Sequence, residues 1–396
     1  MLFVFLSLAA SAQVKTGIEV LRERNFDILE GKRVGLVTNP TGVDRNLKST
    51  IDILDEADNV NLVCLFGPEH GVRGDRHAGD KVESTVDPRT GLTVHSLYGP
   101  TRKPLPSMLK GLDVVVYDLQ DIGCRSFTFI STMGLMMQAC AENDIEFVVL
   151  DRPNPLGGLT VEGNIVDEGM ITFVGQFRIP YLYGLTCGEL AYFLNEEYME
   201  ASCRLKIVTM EGWKREMLFK DTGLPWVAPS PHIPTAETAL YYPATGILGE
   251  TGLLSIGIGY TLPFMLLGEQ WIDAEKFAAE MNALELPGWE FRPIHYKPFY
   301  GRGKGKILHG VQLHVTDHLK AKLTEPQFRA IEVLYRMYPD HPIDVTADRY
   351  VMFDKVTGSK EVRRLLFKRF SYEDLKPLWE RDAERFKAAS KSYYLY

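Results

Sequence analysis

The chain reads as an α/β protein: a Rossmann-like open, mostly parallel sheet with helices on both faces, followed by a smaller C-terminal α+β domain. Three observations predict this. The runs RVGLVTN, NLVCLFG, VVVYDLQ and EFVVLDRP are almost continuous in apolar residues, as strands are when a parallel sheet is covered on both faces. Helical patterns such as LKSTIDILDEA and STMGLMMQACAEN stand between them, and strand–helix alternation is the signature of βαβ units. Past about Gly268 the alternation stops, with helices in WIDAEKFAAEMNAL, TEPQFRAIEVLYRMYP and SYEDLKPLWERDAERFKAAS and a half-exposed strand in GVQLHVTD.

The elements divide into residues 1–12, a first domain over 13–268 and a second over 269–396. The opening MLFVFLSLAASAQ carries an apolar run too short to span a bilayer. It ends in Ala10-Ser11-Ala12, the small-x-small pattern of an export signal cleaved after Ala12, so a periplasmic or secreted protein is expected. No later stretch is apolar enough for a membrane span. With 45% hydrophobic and 24% charged residues and a net charge of −8, the composition is that of a globular protein without a nucleic-acid face. The basic run Gly301–Lys306 reads as a solvated loop. Five cysteines without CxxC spacing read as small buried side chains. No dinucleotide fingerprint follows the first strand, so a nicotinamide oxidoreductase is excluded, and neither a cofactor nor a metal is expected.

Ligands of open α/β sheets bind beyond the carboxyl ends of the strands. Past the first strand stands Asn39; past the second stand Glu69, His70, Arg73 and Asp75, in GPEHGVRGD; past the third, Gln120, Asp121 and Arg125; past the fourth, Asp151, Arg152, Asn154 and, further on, Glu162. Such convergence predicts a cleft, although Asp121 and Asp151 equally suit helix caps or loop-amide acceptors. Asp75 could instead pair with Arg73 or Lys81. Glu189 reads as the second half of a capping box with Thr186. Glu69, between Pro68 and His70 at the rim, has little structural reason to be there. A second cluster, PWVAPSPHIPTAETALYYP, carries Trp226, His232, Tyr241 and Tyr242 on what its prolines make a rigid extended segment, suited to lining a sugar or ring pocket or to covering the sheet edge.

The ordered motifs GLVTNPTG, GPEHGVRGD, YDLQDIGCRSFTFISTM, LDRPNPLGG…VEG, EGWKR, GLPWVAPSPHIPT and FDKVTGS, spread over about residues 15–390, resemble those of the NamZ-like exo-β-N-acetylmuramidases. The resemblance implies a glycoside hydrolase that removes N-acetylmuramic acid from the non-reducing end of peptidoglycan fragments. It also implies a cleft between a Rossmann-like and a smaller domain, with Glu69, of the P-E-H-G motif, as catalytic carboxylate. The chain departs from the family pattern S-E-G-R-G-T-T-R-P-F, reading SIGIGYTLPF over Ser255–Phe264, with Ile256, Ile258 and Leu262 where the glutamate and two arginines usually stand.

Glycosidases commonly use two carboxyl groups. Glu69 is expected as general acid, tuned by His70, with Glu162, Asp121 or Asp151 as partner, unless a 2-acetamido sugar supplies its own nucleophile. Arg73, Arg125 or Arg152 would hold the lactyl carboxylate of a muropeptide-derived sugar. Asn39, Asp75, Gln120, Asn154 and His232 complete the expected binding set. The rival class is a non-catalytic binding protein for cell-wall sugars, and assembly as a homodimer stays open.

Overall fold

The computed structural model describes residues 13–69, 71–74, 85–341 and 350–396. The export run Leu2–Ala12, His70 and Asp75 lie outside the described residues. The strands of the first unit are β1 (Arg33–Thr38), β2 (Asn61–Gly67), β3 (Thr85–Val86), β4 (Thr93–Ser96), β5 (Val114–Asp118), β6 (Glu146–Leu150), a small β7 (Val161–Glu162) and β8 (Leu182–Tyr183) pair, and β9 (Leu205–Val208). Its helices are α1 (Gly17–Glu23), α2 (Thr50–Asp55), α3 (Pro106–Leu109), α4 (Phe129–Glu142) and α5 (Cys187–Glu197). The main sheet has seven strands in the order β3-β4-β2-β1-β5-β6-β9. Every neighbouring pair is parallel except β3–β4. Strand order reverses between β1 and β5, the switch point where an open sheet leaves a crevice.

Both faces of the sheet are covered, which explains the unbroken apolar runs. Val114, Val116, Val148 and Leu150 join Ile18 of α1 and Ile51 of α2 in one core. The alternate residues Val115, Tyr117, Phe147 and Val149 join Met133 and Met137 of α4 and Leu190 of α5 in the other, as the two-residue period of a strand requires. Each such fully buried aliphatic side chain contributes about 1.5–3 kcal/mol. All five cysteines are buried and unpaired. The box expected at α5 is present: Thr186 Oγ1 accepts the Glu189 N–H at 3.2 Å, and Glu189 Oε2 accepts the Thr186 N–H at 3.0 Å.

The second unit holds α6 (Thr238–Gly249), β10 (Leu266–Glu269), α7 (Ala274–Asn282), β11 (Trp289–Tyr296), β12 (Leu308–Val315), α8 (Glu325–Met337), α9 (Val351–Thr357), α10 (Lys360–Arg369), α11 (Tyr372–Glu380) and α12 (Ala383–Ser390). Its sheet is antiparallel, in the order β10-β12-β11. Three features bear on the sequence expectation. The boundary drawn at residue 268 falls within β10, and Leu240, Ala244, Ile247 and Leu248 of α6 share one core with Phe277, Leu313 and Phe328 as well as with Tyr181 and Leu218 of the first unit. The segment ending in ALYYP is helical there despite Pro243, whose carbonyl accepts Gln327 Nε2 at 2.6 Å while Gln327 Oε1 accepts the Leu248 N–H at 3.0 Å. The final helix is two, α11 and α12, separated at Arg381 and Asp382. The basic run Gly301–Lys306 falls in the connection between β11 and β12, mostly exposed.

Candidate active site

The polar groups expected at the strand ends fall into two sets with different fates. At the ends of β1, β5 and β6 they bond to one another. Arg152 is buried and forks onto Asp118, with Nη2 2.9 Å from Oδ2 and Nε on Oδ1; Nη2 also donates to the Val43 carbonyl at 2.8 Å. Asp151 is fully buried and accepts the Arg152 and Gly188 N–H groups at 3.0 and 2.8 Å and the hydroxyls of Thr186 and Tyr396 at 2.6 and 2.7 Å. Burial pushes its carboxyl up to about 6, and does the same for Asp121. Asp121 accepts the Gly123 N–H at 2.7 Å and the Tyr183 hydroxyl through Oδ2. Gln120 donates to the carbonyls of Asp121 and Pro153, both at 2.8 Å, and Asn154 donates to the Leu185 carbonyl at 2.9 Å. Asn39 Oδ1 accepts the Thr41 N–H at 2.9 Å. Only about 10 Å³ of space opens beside Arg152 and Gln120, far less than a sugar ring needs.

The other expected cations and the expected partner acid are also engaged inside the protein. Arg125 is 1% exposed and donates to four carbonyls, Asn164 and Ile179 at 2.7 and 2.6 Å, and Val356 and Thr357 at 3.2 and 2.8 Å. It ties the loop after β5 to the end of α9, and burial lowers its guanidinium to about 10. Arg73 forks onto Asp87, both bonds 2.9 Å, and that contact first of all holds the Asp87 carboxyl down at about 2. Glu162 accepts the N–H groups of Leu323 and Thr324 at 2.8 and 2.9 Å and the Thr324 hydroxyl at 2.7 Å. It thereby satisfies amide donors at the start of α8, which a helix otherwise leaves orphaned. Burial raises its carboxyl above the usual range. Glu162 lines a separate cavity of about 530 Å³ with Lys322, Trp379 and Glu380, in which Glu69 has no part. None of Arg125, Arg152, Asp121, Asp151, Asn154, Gln120, Asn39 or Glu162 lines the cleft that contains Glu69.

That cleft, about 420 Å³, lies between the sheet's loops and the second unit. Glu69 comes from the turn after β2, Tyr98 and Arg102 from the loop after β4, and Ser126–Phe129 from the segment joining β5 to α4. Thr172–Val174 close one side; Ser230, Tyr242, Glu250, Met352 and Lys355 close the other. The Thr128 hydroxyl donates to Glu69 Oε2 at 3.2 Å. Burial, then the charge and hydrogen bonding of Glu69, pushes the Tyr98 phenol up to about 12. Aromatic rings form the walls: Phe127 meets Phe129 and Tyr242 edge-on with centroids 4.8 and 6.0 Å apart, and Tyr98 lies 6.3 Å from Phe173. The Ser126 hydroxyl anchors the Tyr242 hydroxyl at 3.1 Å and donates to Tyr181 at 3.1 Å.

Two cations reach this cleft. The Arg102 guanidinium sits over the Phe173 ring, 4.4 Å from its centroid, and Lys355 enters from α9. Neither forms an ion pair among the described residues. His232 is two residues from Ser230, and its Nε2 is 2.9 Å from the Tyr300 hydroxyl. A smaller cavity of about 280 Å³ shares Tyr242 and Glu250 with the cleft and is otherwise lined largely by apolar groups, including Ile256, Ile258 and Phe264. The departing segment Ser255–Phe264 thus forms an apolar lobe beside the Glu69 cleft. Tyr98, Arg102, Glu250 and Lys355 were not expected as site residues. A signal existed for the first two: LYGPTR repeats the Gly-Pro exit after a strand that GPEHG shows.

Comparison with known proteins gives one consistent result. A family model described as Exo-beta-N-acetylmuramidase NamZ, N-terminal, matches residues 34–237, and its C-terminal companion matches residues 240–396. The two meet at the start of α6. The chain is 42% identical over 388 residues to the peptidoglycan beta-N-acetylmuramidase NamZ of Bacillus subtilis (strain 168), covering 98% of this chain and 92% of that protein. Two crystal structures of DUF1343 family proteins from Bacteroides fragilis NCTC 9343 superpose on it, with TM-scores of 0.93 at 57% identity and 0.77 at 30% identity. Each covers 97% of this chain and 99% of the other.

Proposed function

The chain belongs to the NamZ exo-β-N-acetylmuramidase family, and from that premise we propose that it is an exo-acting glycosidase releasing N-acetylmuramic acid from the non-reducing end of peptidoglycan fragments. The observation that carries this reading is the position of Glu69. It is the acidic group of the GPEHG turn, and it lies in an aromatic-walled cleft large enough for a sugar, beside two cations that have no carboxylate partner among the described residues. Aromatic faces and edges suit the apolar face of a pyranose, and the few polar groups among them fix its orientation.

The roles read from the sequence shift in two ways. With Arg73, Arg125 and Arg152 bound within the protein, recognition of the lactyl carboxylate passes to Arg102 and Lys355. Glu69 remains a catalytic carboxyl group. The hydroxyls of Thr128 and Tyr98 lie against it as donors, and we assign it the role of base. A second carboxyl group must then protonate the leaving oxygen.

Turnover of a chromogenic β-glycoside of N-acetylmuramic acid, set beside the N-acetylglucosamine analogue, tests the reading. Hydrolysis of the first and neglect of the second are expected. Tight binding of the muramic-acid sugar without any turnover would favour the sugar-binding alternative. Export is part of the same proposal, motivated by Leu2–Ala12. Mass spectrometry of the native N-terminus should find Gln13 exposed, and a mature protein that keeps Leu2–Ala12 contradicts it.

A further inference from the structure

Glu250 directly follows α6 and lines both the Glu69 cleft and the apolar lobe beside it. Its backbone N–H returns to the Ile247 carbonyl at 3.3 Å, which closes the helix and fixes where the side chain starts. Its carboxylate has no hydrogen-bond or ion-pair partner among the described residues. This separates it from the other acids considered: Asp118 and Glu189 are paired with arginines, and Asp151 and Glu162 are saturated with donors.

We propose that Glu250 is the second catalytic carboxyl group, the acid that protonates the glycosidic oxygen while Glu69 acts as base across the same cleft. The inference rests on the glycosidase reading above. Glu250 shares the lining of the cleft with Glu69, Tyr98, Arg102, Lys355 and Tyr242 of the preceding helix, and that of the adjoining lobe with Arg302. Burial is the main cause of the raised Tyr242 pKa, and the charges of both glutamates add to it. Although Glu250 keeps surface open to solvent, its carboxyl stands in a concavity with protein where much of its hydration shell would be. That desolvation raises its pKa, the direction a group needs if it is to arrive protonated.

The step balances as follows. The bond between the anomeric carbon and the glycosidic oxygen breaks, its electron pair stays on that oxygen, and the Glu250 proton joins it to complete the leaving hydroxyl. The attacking oxygen forms the new bond to the anomeric carbon. Glu69 takes the proton that the nucleophile sheds, from water in direct attack or from the amide N–H when the substrate's 2-acetamido oxygen attacks. After direct attack, exchange with solvent restores both carboxyl groups; after acetamido attack, water adds to the anomeric carbon of the resulting oxazoline and gives its proton to Glu250, while Glu69 returns its proton to the nitrogen.

An acid is needed only when the leaving group is poor, so two substrates separate the two glutamates. The variants E250Q and E69Q are compared with the parent on a muramic-acid disaccharide and on the nitrophenyl glycoside of the same sugar. E250Q should lose about 10²–10⁴-fold on the disaccharide, the usual worth of a positioned acid. It should lose no more than about tenfold on the nitrophenyl glycoside, which also reports that the variant is folded. The alkaline limb of its kcat/KM profile on the disaccharide should disappear. E69Q should lose on both substrates. An E250Q variant impaired equally on both, or on neither, overturns the assignment of Glu250. A parent inactive on both overturns the glycosidase reading itself.

Discussion

Two neighbouring regions of the strand ends contain the same kinds of residue and do opposite things. Beyond β1, β5 and β6, buried carboxylates, amides and one arginine close on each other and on backbone groups, and the cavity beside Arg152 and Gln120 measures about 10 Å³. Beyond β2 and β4, one glutamate, one tyrosine and one arginine open onto a cleft of about 420 Å³ whose far wall comes from the second unit. Buried polar groups must be hydrogen-bonded, so polarity at a strand end does not by itself mark a site. What sets the second region apart is space for a ligand beside Arg102 and Lys355, neither of which forms an ion pair among the described residues.

The largest difference between the two regions should appear in turnover. Glu69→Gln keeps the shape and hydrogen bonding of the side chain but cannot take or give the proton. Its rate on a muramic-acid disaccharide should fall about 10²–10⁴-fold with the unfolding midpoint unchanged. A rate close to the parent's would remove Glu69 from the chemistry.

The closed region should respond in the opposite manner. Arg152→Met leaves Asp118, fully buried, with no cation beside it, and breaking a buried pair in this way costs about 3–5 kcal/mol of stability. Denaturant titration should show that loss while turnover per folded molecule stays within a few-fold of the parent. A variant that is stable but catalytically dead would place Arg152 in the site after all.

A smaller effect sharpens the role of the open cations. Arg102→Met keeps an apolar side chain over Phe173 and removes the charge. It should weaken binding of N-acetylmuramic acid, but not of N-acetylglucosamine, by about 1.5–3 kcal/mol, the scale of a charged hydrogen bond. Calorimetry on both sugars checks this, and an equal loss on both would make Arg102 a packing residue.

The smallest effect concerns pH. Burial holds Asp151 up at about 6, against an ordinary carboxyl near 4. Between about pH 4 and pH 6 the folded protein keeps a proton that the unfolded chain has released, so this group contributes a stability that declines as pH rises through that window. Relative to Asp151→Asn, the parent should lose about 1–2 kcal/mol from pH 4 to pH 6, and the two curves should run parallel above it. A parent that instead gains stability relative to Asp151→Asn as pH rises from 4 to 6 would mean that Asp151 is held ionised.

The sheet was legible because its central strands are buried on both faces and so are spelled in Val and Leu. The edge strand β9 was not, since its LKIV carries Lys206 at an exposed position. The helix α6 was hidden by Pro243, which local reading treats as a breaker and which Gln327 accommodates through a contact 84 residues away in sequence. Glu69 can be nominated from sequence by its place between Pro68 and His70 at a strand exit, and it lines the cleft. Arg125 and Arg152 were read as substrate contacts on position alone, and only the fold shows the carbonyls and the carboxylate that occupy them. Lys355 and Glu250 come from the second unit, and nothing local to their sequences brings them to Glu69.

The most direct test of the contrast between the two regions is a crystal structure of the Glu69→Gln variant soaked with a muramic-acid disaccharide. The sugar should lie in the Glu69 cleft, between Tyr98, Phe127, Phe173 and Tyr242, with its lactyl carboxylate on Arg102 or Lys355 and its glycosidic oxygen toward Glu250. Density for the sugar against Arg152 and Asp118, or in the cavity beside Glu162, would contradict the account.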